Sequence, residues 1–549
     1  MSIKRYAPSA DTTITNAYKS NLSTRGTGSN MGAADILEVF SLTGQESSGS
    51  VELSRLLIQF PISGTTTGEV KADRTAGTIP ASGSVRFYLK LFNAKHSQTL
   101  PRNMILNVQA VSQSWAEGTG LDMENYTDRG VANWVSGNLS GSVGAPVSAK
   151  GGWDGAWGTS SMDQTTGFVP GGTYHTASYN AGSDGMPMYT TTFTNGDEDL
   201  EVDVTAAVEE WVAGTYLNYG FGIHLTASQE AYSVGDGTNV PRNLSGSSDS
   251  YYTKKFFSRT SDFFFKRPVL EARWDSSDQD DRGAFYMSSP LAPAADNLNT
   301  LFLYNYVKGQ LKNIPEVGVT GTIMVALYSG SATDTEPSGS KLELSAGGNV
   351  VARSPLGRSL LYATGGYHDT GIYTASLSFT GSSALETIYD VWTTGTWNNH
   401  EVTQFFTGTI TPVGLTGSIN YPIREYITNI TNLKAAYTNK EKPRLRLFVR
   451  DKDWNPNIYT KSSTLPNTEV IEEAHYKVVR AVDGLEVVPY NTASSTMATK
   501  LSYDSNGNYF DLDMSMLDTD YMYKIYFAYN INGDYQEQSE IFKFRVEEK

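Results

Sequence analysis

Residues 203–225 read DVTAAVEEWVAGTYLNYGFGIHL, and two periods meet inside them. In the first half, Val204, Ala207, Val208, Trp211 and Val212 follow the i, i+3, i+4, i+7, i+8 spacing that gathers apolar side chains on one helical face. Asp203 is placed to cap the N-terminus, and Gly214 to end the helix in a left-handed conformation. Past Leu217 and Asn218 the period drops to two: Phe221, Ile223 and Leu225 point one way, Gly222 and His224 the other, as in a half-buried strand. A helix over Val204–Val212 feeding a strand predicts a lid on a β core, with Trp211, Val208, Phe221 and Ile223 inside. His224, on the outward face, is expected in solvent, as are Glu209 and Glu210 on the helix.

Upstream the alternation continues. After a polar leader, Asp11–Ile14 opens a strand and Ile36–Leu42 is a second. In Leu53–Pro61, Leu56, Ile58 and Phe60 alternate with Arg55, Leu57 and Gln59; Val85–Leu91 alternates nearly as cleanly, and Met104–Val111 runs on to Trp115-Ala116-Glu117-Gly118. Trp115 is expected to be a core residue.

Taken in order, these pieces resemble the DNRLRE family, a β-sandwich module of bacterial and phage surface proteins related to carbohydrate-binding modules. The resemblance covers most of residues 5–275 and rests on seven segments: Asp11–Ile14, Ser29-Asn30-Met31-Gly32, Leu37–Val39, Ser54–Phe60, Ser84–Leu89, Trp115–Gly118, and Asp203 onward. Phe256–Arg259 followed by Arg267-Pro268-Val269-Leu270 is similar to the family's last strand. Two departures stand out: Pro61 replaces an acidic residue, and residues 120–200 form a much longer insertion than the module normally carries.

That insertion is rich in glycine and aromatic rings, including Trp134, Trp153, Trp157, Tyr174, Tyr179 and Tyr189. Long stretches without regular structure in a compact domain are usually functional or lie at an interface. Trp134 is read as core. Trp153, Trp157, Tyr174 and Tyr179 are the candidates for contact with a neighbouring subunit or for stacking on a glycan.

At 549 residues the chain exceeds a single ordinary core, and roughly three domains are expected. Its 51 glycines and 33 tyrosines, with no heptad pattern, indicate all-β domains joined by turns. The predicted fold is all-β and multidomain: an N-terminal jelly-roll-like sandwich with one short helix over 1–275, a polar linker at 276–282, then two immunoglobulin-like domains at 283–416 and 417–549. In the second domain Thr320–Leu327 and Lys341–Leu344 read as strands, Gly371–Leu377 as a strand partnered by Ile388–Trp392, and Tyr373 as a tyrosine corner. In the third, Asp504–Gly507 reads as a hairpin turn.

The chemistry is sparse. Cysteine is absent, so thiol nucleophiles, disulfides and thiolate metal sites are excluded. The six histidines show no paired-ligand spacing, and no nucleophile elbow or phosphate loop is present. Asp122 with Glu124 is a possible acid pair only by proximity in sequence. Asp197–Asp203, and Asp504 with Asn506, are acidic enough for Ca²⁺ but lack EF-hand spacing; no cofactor is expected and Ca²⁺ is left unproven. A net charge of −16 argues against nucleic acid, and no eighteen-residue apolar run offers a membrane span. The opening residues lack a secretory h-region, although the composition is that of an exterior protein, a conflict that virion proteins resolve because lysis releases them. The stretch MSIKRYAPSADTTITNAYKSNLSTRGTGSNMG also resembles structural proteins of marine cyanophages. The expectation is a non-enzymatic phage virion component, an exterior decoration or a tail- or neck-associated part. Its partners would be other virion proteins and copies of itself. The alternative is a carbohydrate-binding protein that meets a surface glycan.

Overall fold

The computed structural model describes residues 2–44, 50–96, 101–127, 130–138, 146–147, 152–153, 157, 170–175, 185–235, 239–289, 293, 297–331, 333–345, 347–348, 350–351, 361–379, 385–396, 399–413, 425–454, 468–493 and 496–548. The fold is all-β and multidomain, in two compact units. Ser2–Asp275 with the short piece 493–498 makes one, and Ser276–Thr492 with 499–549 the other.

In the first unit the strands are β1 (Ile3–Tyr6), β2 (Ala10–Thr15), β3 (Ile36–Thr43), β4 (Val51–Gln59), β5 (Arg86–Leu91), β6 (Met104–Ala110), β7 (Pro146–Val147), β8 (Gly152–Trp153), β9 (Met188–Phe193), β10 (Leu200–Asp203), β11 (Phe221–Leu225), β12 (Tyr251–Phe257) and β13 (Val269–Arg273). Two antiparallel sheets form, one of order β1-β13-β5-β10, the other β12-β3-β4-β11-β6-β9 with β2 also paired to β4. The leader, read as merely polar, supplies β1, because Ile3 and Tyr6 are buried while Lys4 and Arg5 reach for carboxylates.

A short helix α1 (Val70–Thr75) and the longer α2 (Thr205–Ala213) complete the unit. The expected boundaries of α2 shift by one residue. Val204 occupies the N-cap without a side-chain bond, while Asp203 Oδ1, one position earlier, accepts from Thr205 N at 2.9 Å and from its Oγ1 at 2.5 Å. Gly214 ends the helix at φ +84°, a conformation a side chain would strain.

α2 carries the chain from β10 in one sheet to β11 in the other, so it closes an end of the sandwich. Ala207, Val208 and Trp211 enter the core, and the Trp211 ring meets Phe221 edge-on at 4.8 Å. Leu56, Ile58, Val108, Phe221, Ile223 and Leu225 from one sheet pack there against Leu89, Leu91, Leu200 and Leu270 from the other.

β4 is buried along almost its whole length, on both faces. Leu56 and Ile58 face the sandwich core; Val51, Leu53 and Leu57 face a second apolar cluster on the far side of the same sheet.

The second unit holds an antiparallel sheet running Asn299–Tyr304, Ile372–Leu377, Tyr362–Asp369, Ile323–Gly330, Thr387–Thr396, Asn399–Ile410, with Val350–Val351 beside Tyr362–Asp369. Thr387–Thr396 therefore partners Ile323–Gly330 and Asn399–Ile410, not the Ile372–Leu377 strand. Lys341 makes a single bridge to Tyr328, and no strand covers 341–344. Tyr373 is buried, donates to Gly318 O at 2.9 Å and accepts from Ile314 N at 3.0 Å, so its hydroxyl pins the 314–318 turn. Downstream, a four-stranded and a six-stranded sheet follow, and Ser502–Asp504 turns through Ser505-Asn506 onto Gly507–Asp511.

Candidate functional site

Three segments remote in sequence meet at one polar knot in the first unit. Glu117 Oε1 accepts from Asp11 N at 2.8 Å and from Arg259 Nε at 2.5 Å, and Oε2 takes Arg259 Nη2. Asp11 Oδ2 accepts from Arg259 N at 2.7 Å. Behind them Asn30 bonds four ways, donating to Glu117 O (2.7 Å) and Ala132 O (3.0 Å) and accepting from Gly32 N (3.2 Å) and Gly120 N (2.8 Å). A Cβ at Gly32 would lie 2.2 Å from Glu117 O, so only glycine admits this approach.

Two carboxylates beside an arginine invite comparison with an acid–base pair. Burial pushes Asp11 up to about 7 despite the Arg259 amide, and the Glu117 charge adds to the rise. Yet Asp11 is fully buried, and the Glu117 carboxylate is taken by Arg259 and the Asp11 amide. The cluster fastens β2, the 117–120 turn and the end of β12 together.

Of the insertion's described residues, Ala132, Trp134, Trp157 and Tyr174 pack on the outer face of the seven-stranded sheet. Trp134 and Trp157 are both buried there with Leu57, Val111 and Trp115. Each indole N–H has an acceptor: Asn239 O for Trp134 (2.6 Å), Asn133 O for Trp157 (2.9 Å) and Tyr219 O for Trp115 (2.8 Å). Trp157 is therefore core, which corrects its reading as a surface ring. Tyr174 is partly buried and donates to Gly171 O at 2.9 Å. Trp153 lies in β8, paired with β7, and Tyr179 falls outside the described residues.

Beneath this cover, Arg55 on β4 is buried and paired with Glu230 through two bonds of 3.1 and 3.0 Å, donates to Gly171 O, and lies 5.6 Å from the Trp134 ring. His224, expected in solvent, is half-buried. Its ring lies 5.1 Å from Tyr174, Nδ1 is 2.8 Å from Leu225 O, and burial, with Arg55 nearby, pushes it down to about 4. Tyr174, which a period-two reading of β11 does not reveal, partly covers that face.

The acidic run 197–203 is distributed one carboxylate at a time. Glu198 accepts from Asn195 N and Gly196 N (both 2.7 Å), Asp199 from Asn93 N (2.6 Å), Glu201 pairs with Arg273 (2.9 Å), and Asp203 holds α2. The cation inside the turn is Lys254, whose Nζ donates to Gly196 O and Glu198 O. Asp504, the other calcium candidate, forms a two-pronged pair with Arg446. Glu209 is held by Arg74 at 2.6 Å, and Asp122 Oδ1 takes the amides of Glu124 and Asn125. Among the described residues no group of three or more histidine or acidic side chains converges on a common metal position.

On the outer face of the four-stranded sheet, Glu271 is buried between Arg5 (2.7 Å) and Arg273 (2.6 Å). Burial alone would raise it, but Arg5, Lys90 and Arg273 outweigh that and hold it at about 2.

The second unit repeats the theme at 276–282, a segment that is bonded in place. Arg282 reaches Asp280 (3.0 Å), Asp390 (2.6 Å) and Phe302 O (3.0 Å), and Asp390 also accepts from Trp392 Nε1 (2.7 Å). Asp281 accepts from Tyr503 OH and Thr300 N, both at 2.6 Å.

What the first unit does display is a different aromatic group. Phe263 and Phe264, in the turn between β12 and β13, are 54% and 53% exposed. With Phe257 and Phe265 they form a chain of rings with centroids 5.4 to 6.2 Å apart. The DFFFK run was legible in the sequence but carried no period that marked it as surface.

No family model matches the chain, and no curated protein does. Among solved structures, a tetra-tandem repeat in the extending region of a large adhesion protein aligns with 42% of this chain and 42% of its own, at 12% identity and a TM-score of 0.14. A likeness of that size carries no argument about fold or activity.

Proposed function

We propose that the chain is a structural component of a phage virion, an exterior or tail- or neck-associated β protein, whose first unit is a DNRLRE-like module and which acts through contact surfaces and not by catalysis. The observation that carries this reading is the fate of the insertion. Trp134 and Trp157 are built in as a second core against β4, which turns a two-layer sandwich into a thicker, stiffer body. Acidic side chains that might serve chemistry are bound to backbone amides or arginines. Phe263 and Phe264 leave ring faces open side by side, an arrangement suited to a protein partner.

Mass spectrometry of purified particles, with localisation by electron microscopy, tests the reading. The chain should be found at a defined, symmetric position. A Phe263→Ser/Phe264→Ser variant should keep its melting temperature and fail to enter particles. Particles that assemble normally with that variant but no longer adsorb to host cells would favour the glycan-binding alternative, and particles lacking the protein altogether would sink the virion reading.

A further inference from the structure

Two lysines follow one another on β12, and alternation turns only one inward. Lys254 is fully buried, with its Nζ 4.8 Å from the Phe193 ring centre and 5.3 Å from that of Phe256. Besides the two carbonyls of the 196–198 turn, Nζ contacts the side chain of Asn93, at 2.7 Å from Oδ1. Asn93 lies two residues past the end of β5 and beside β12 in antiparallel fashion. It bridges Phe256, with Ala94 N donating to Lys255 O at 2.9 Å and Phe257 N to Phe92 O at 3.1 Å. Backbone pairing on either side thus holds a buried amine against a half-buried carboxamide, with two aromatic rings beside the amine.

We propose that Lys254 and Asn93 join in an intramolecular isopeptide bond, a covalent cross-link between β12 and the segment that follows β5. The neutral amine attacks Asn93 Cγ, the carbon bonded to the oxygen it already touches. A bond forms between Nζ and Cγ as the Cγ–Nδ2 bond breaks. One hydrogen passes from Nζ to Nδ2, and ammonia leaves. Nothing is oxidised or reduced, and no other reactant enters.

Three features of the site favour the step. The reacting groups are oriented by the sheet, which removes most of the entropic barrier to amide exchange. Burial pushes the Lys254 ammonium down to about 8, against the pull of Glu198, Asp199 and Asp197, so a neutral fraction exists near neutral pH. The Phe193 and Phe256 rings cover the Lys254 amine, which lowers its hydration and frees it as a nucleophile. The product would close a loop between residues 161 apart, a constraint that acts on the unfolded chain.

Intact mass of the folded chain, followed by peptide mapping, reads the bond directly. The expected mass is that of the sequence less one ammonia, with the Asn93 and Lys254 peptides recovered as one branched species. Lys254→Met and Asn93→Ala should each restore the full mass, and Asn93→Asp should keep the link with loss of water in place of ammonia. Folded wild-type protein at its full sequence mass overturns the proposal. So does an ammonia loss that maps to a cyclised Asn195-Gly196 or Asn506-Gly507 step beside an unbranched Lys254 peptide. Both readouts come from the wild-type chain, so a variant that fails to fold does not blunt them.

Discussion

Gly222 and Tyr174 approach so closely that a Cβ on the glycine would lie 2.0 Å from Tyr174 Cε1. The glycine is on β11, the central strand that follows α2; the tyrosine is carried by the insertion and bridges to Val111 at the end of β6. The contact is where the insertion is seated on the sheet. Gly222→Ala should therefore displace Tyr174 and destabilise the first unit by about 1–3 kcal/mol, the usual cost of overpacking. Hydrogen exchange at 172–175 and at 222–224 is the check: both should lose protection together, and unchanged protection at 172–175 would count against this seat.

Trp157 and Trp211 belong to different cores on opposite faces of one sheet. Truncating either to Ala should cost about 3–5 kcal/mol, as large core deletions do. Trp211→Phe should cost markedly less, because it keeps the ring against Phe221 and removes an indole N–H that has no acceptor among the described residues. Denaturant titration of the variants decides it. A folded Trp157→Ala chain of unchanged stability would restore Trp157 as a surface ring.

Arg55 and Glu230 form a buried two-pronged pair beneath Trp134. Removing one partner leaves an uncompensated buried charge, so Arg55→Met and Glu230→Leu should each lose about 3–5 kcal/mol. The double variant should lose much less than the sum. A double-mutant cycle with no coupling would mean that Gly171 O and the aromatic cover, not the pair, hold this face.

Asp11 gives the first unit a distinctive pH response. Its folded pKa is raised from 3.8 to about 7, so the stability it contributes is full below pH 3.8 and is lost as pH rises through 7. Asn at this position mimics the protonated acid and can still accept from Arg259 N. Asp11→Asn should match wild type near pH 4 and exceed it by about 2–4 kcal/mol at pH 8. Glu271 works the other way: held at about 2, it contributes above 4.5, and that contribution is lost as pH falls toward 2. Melting curves of wild type and Asp11→Asn across this range should diverge upward from pH 4; parallel curves would refute the assignment.

Local pattern was enough to locate α2 and its glycine stop, the alternating strands β2 to β6, and the apolar face of β11, because helical and strand periods are properties of a dozen neighbouring residues. Trp211, Val208, Phe221 and Ile223 are buried for the same reason, each on the apolar side of its own element, whereas Trp115 is buried from a loop in the second cluster. What lay on the other side of those elements was beyond any local period. His224 and Arg55 face outward from their strands, and contacts with Trp134, Gly171 and Tyr174 bury Arg55 and half-bury His224. Trp157 in a glycine-rich run gives no periodic signal, since its place is set by Asn133 O and the far face of β4. The pairing of Asp11 with Arg259, of Lys254 with Asn93 and of Arg282 with Asp390 likewise joins residues more than a hundred positions apart. The sequence alone determined the alternating strands of the first unit's core and which side of each is apolar, but not β1, and it placed a strand at 341–344 where none forms. Tertiary structure decided which polar side chains are buried and with what partner, because desolvation and ion pairing depend on what covers a face, and the covering chain comes from elsewhere in the sequence.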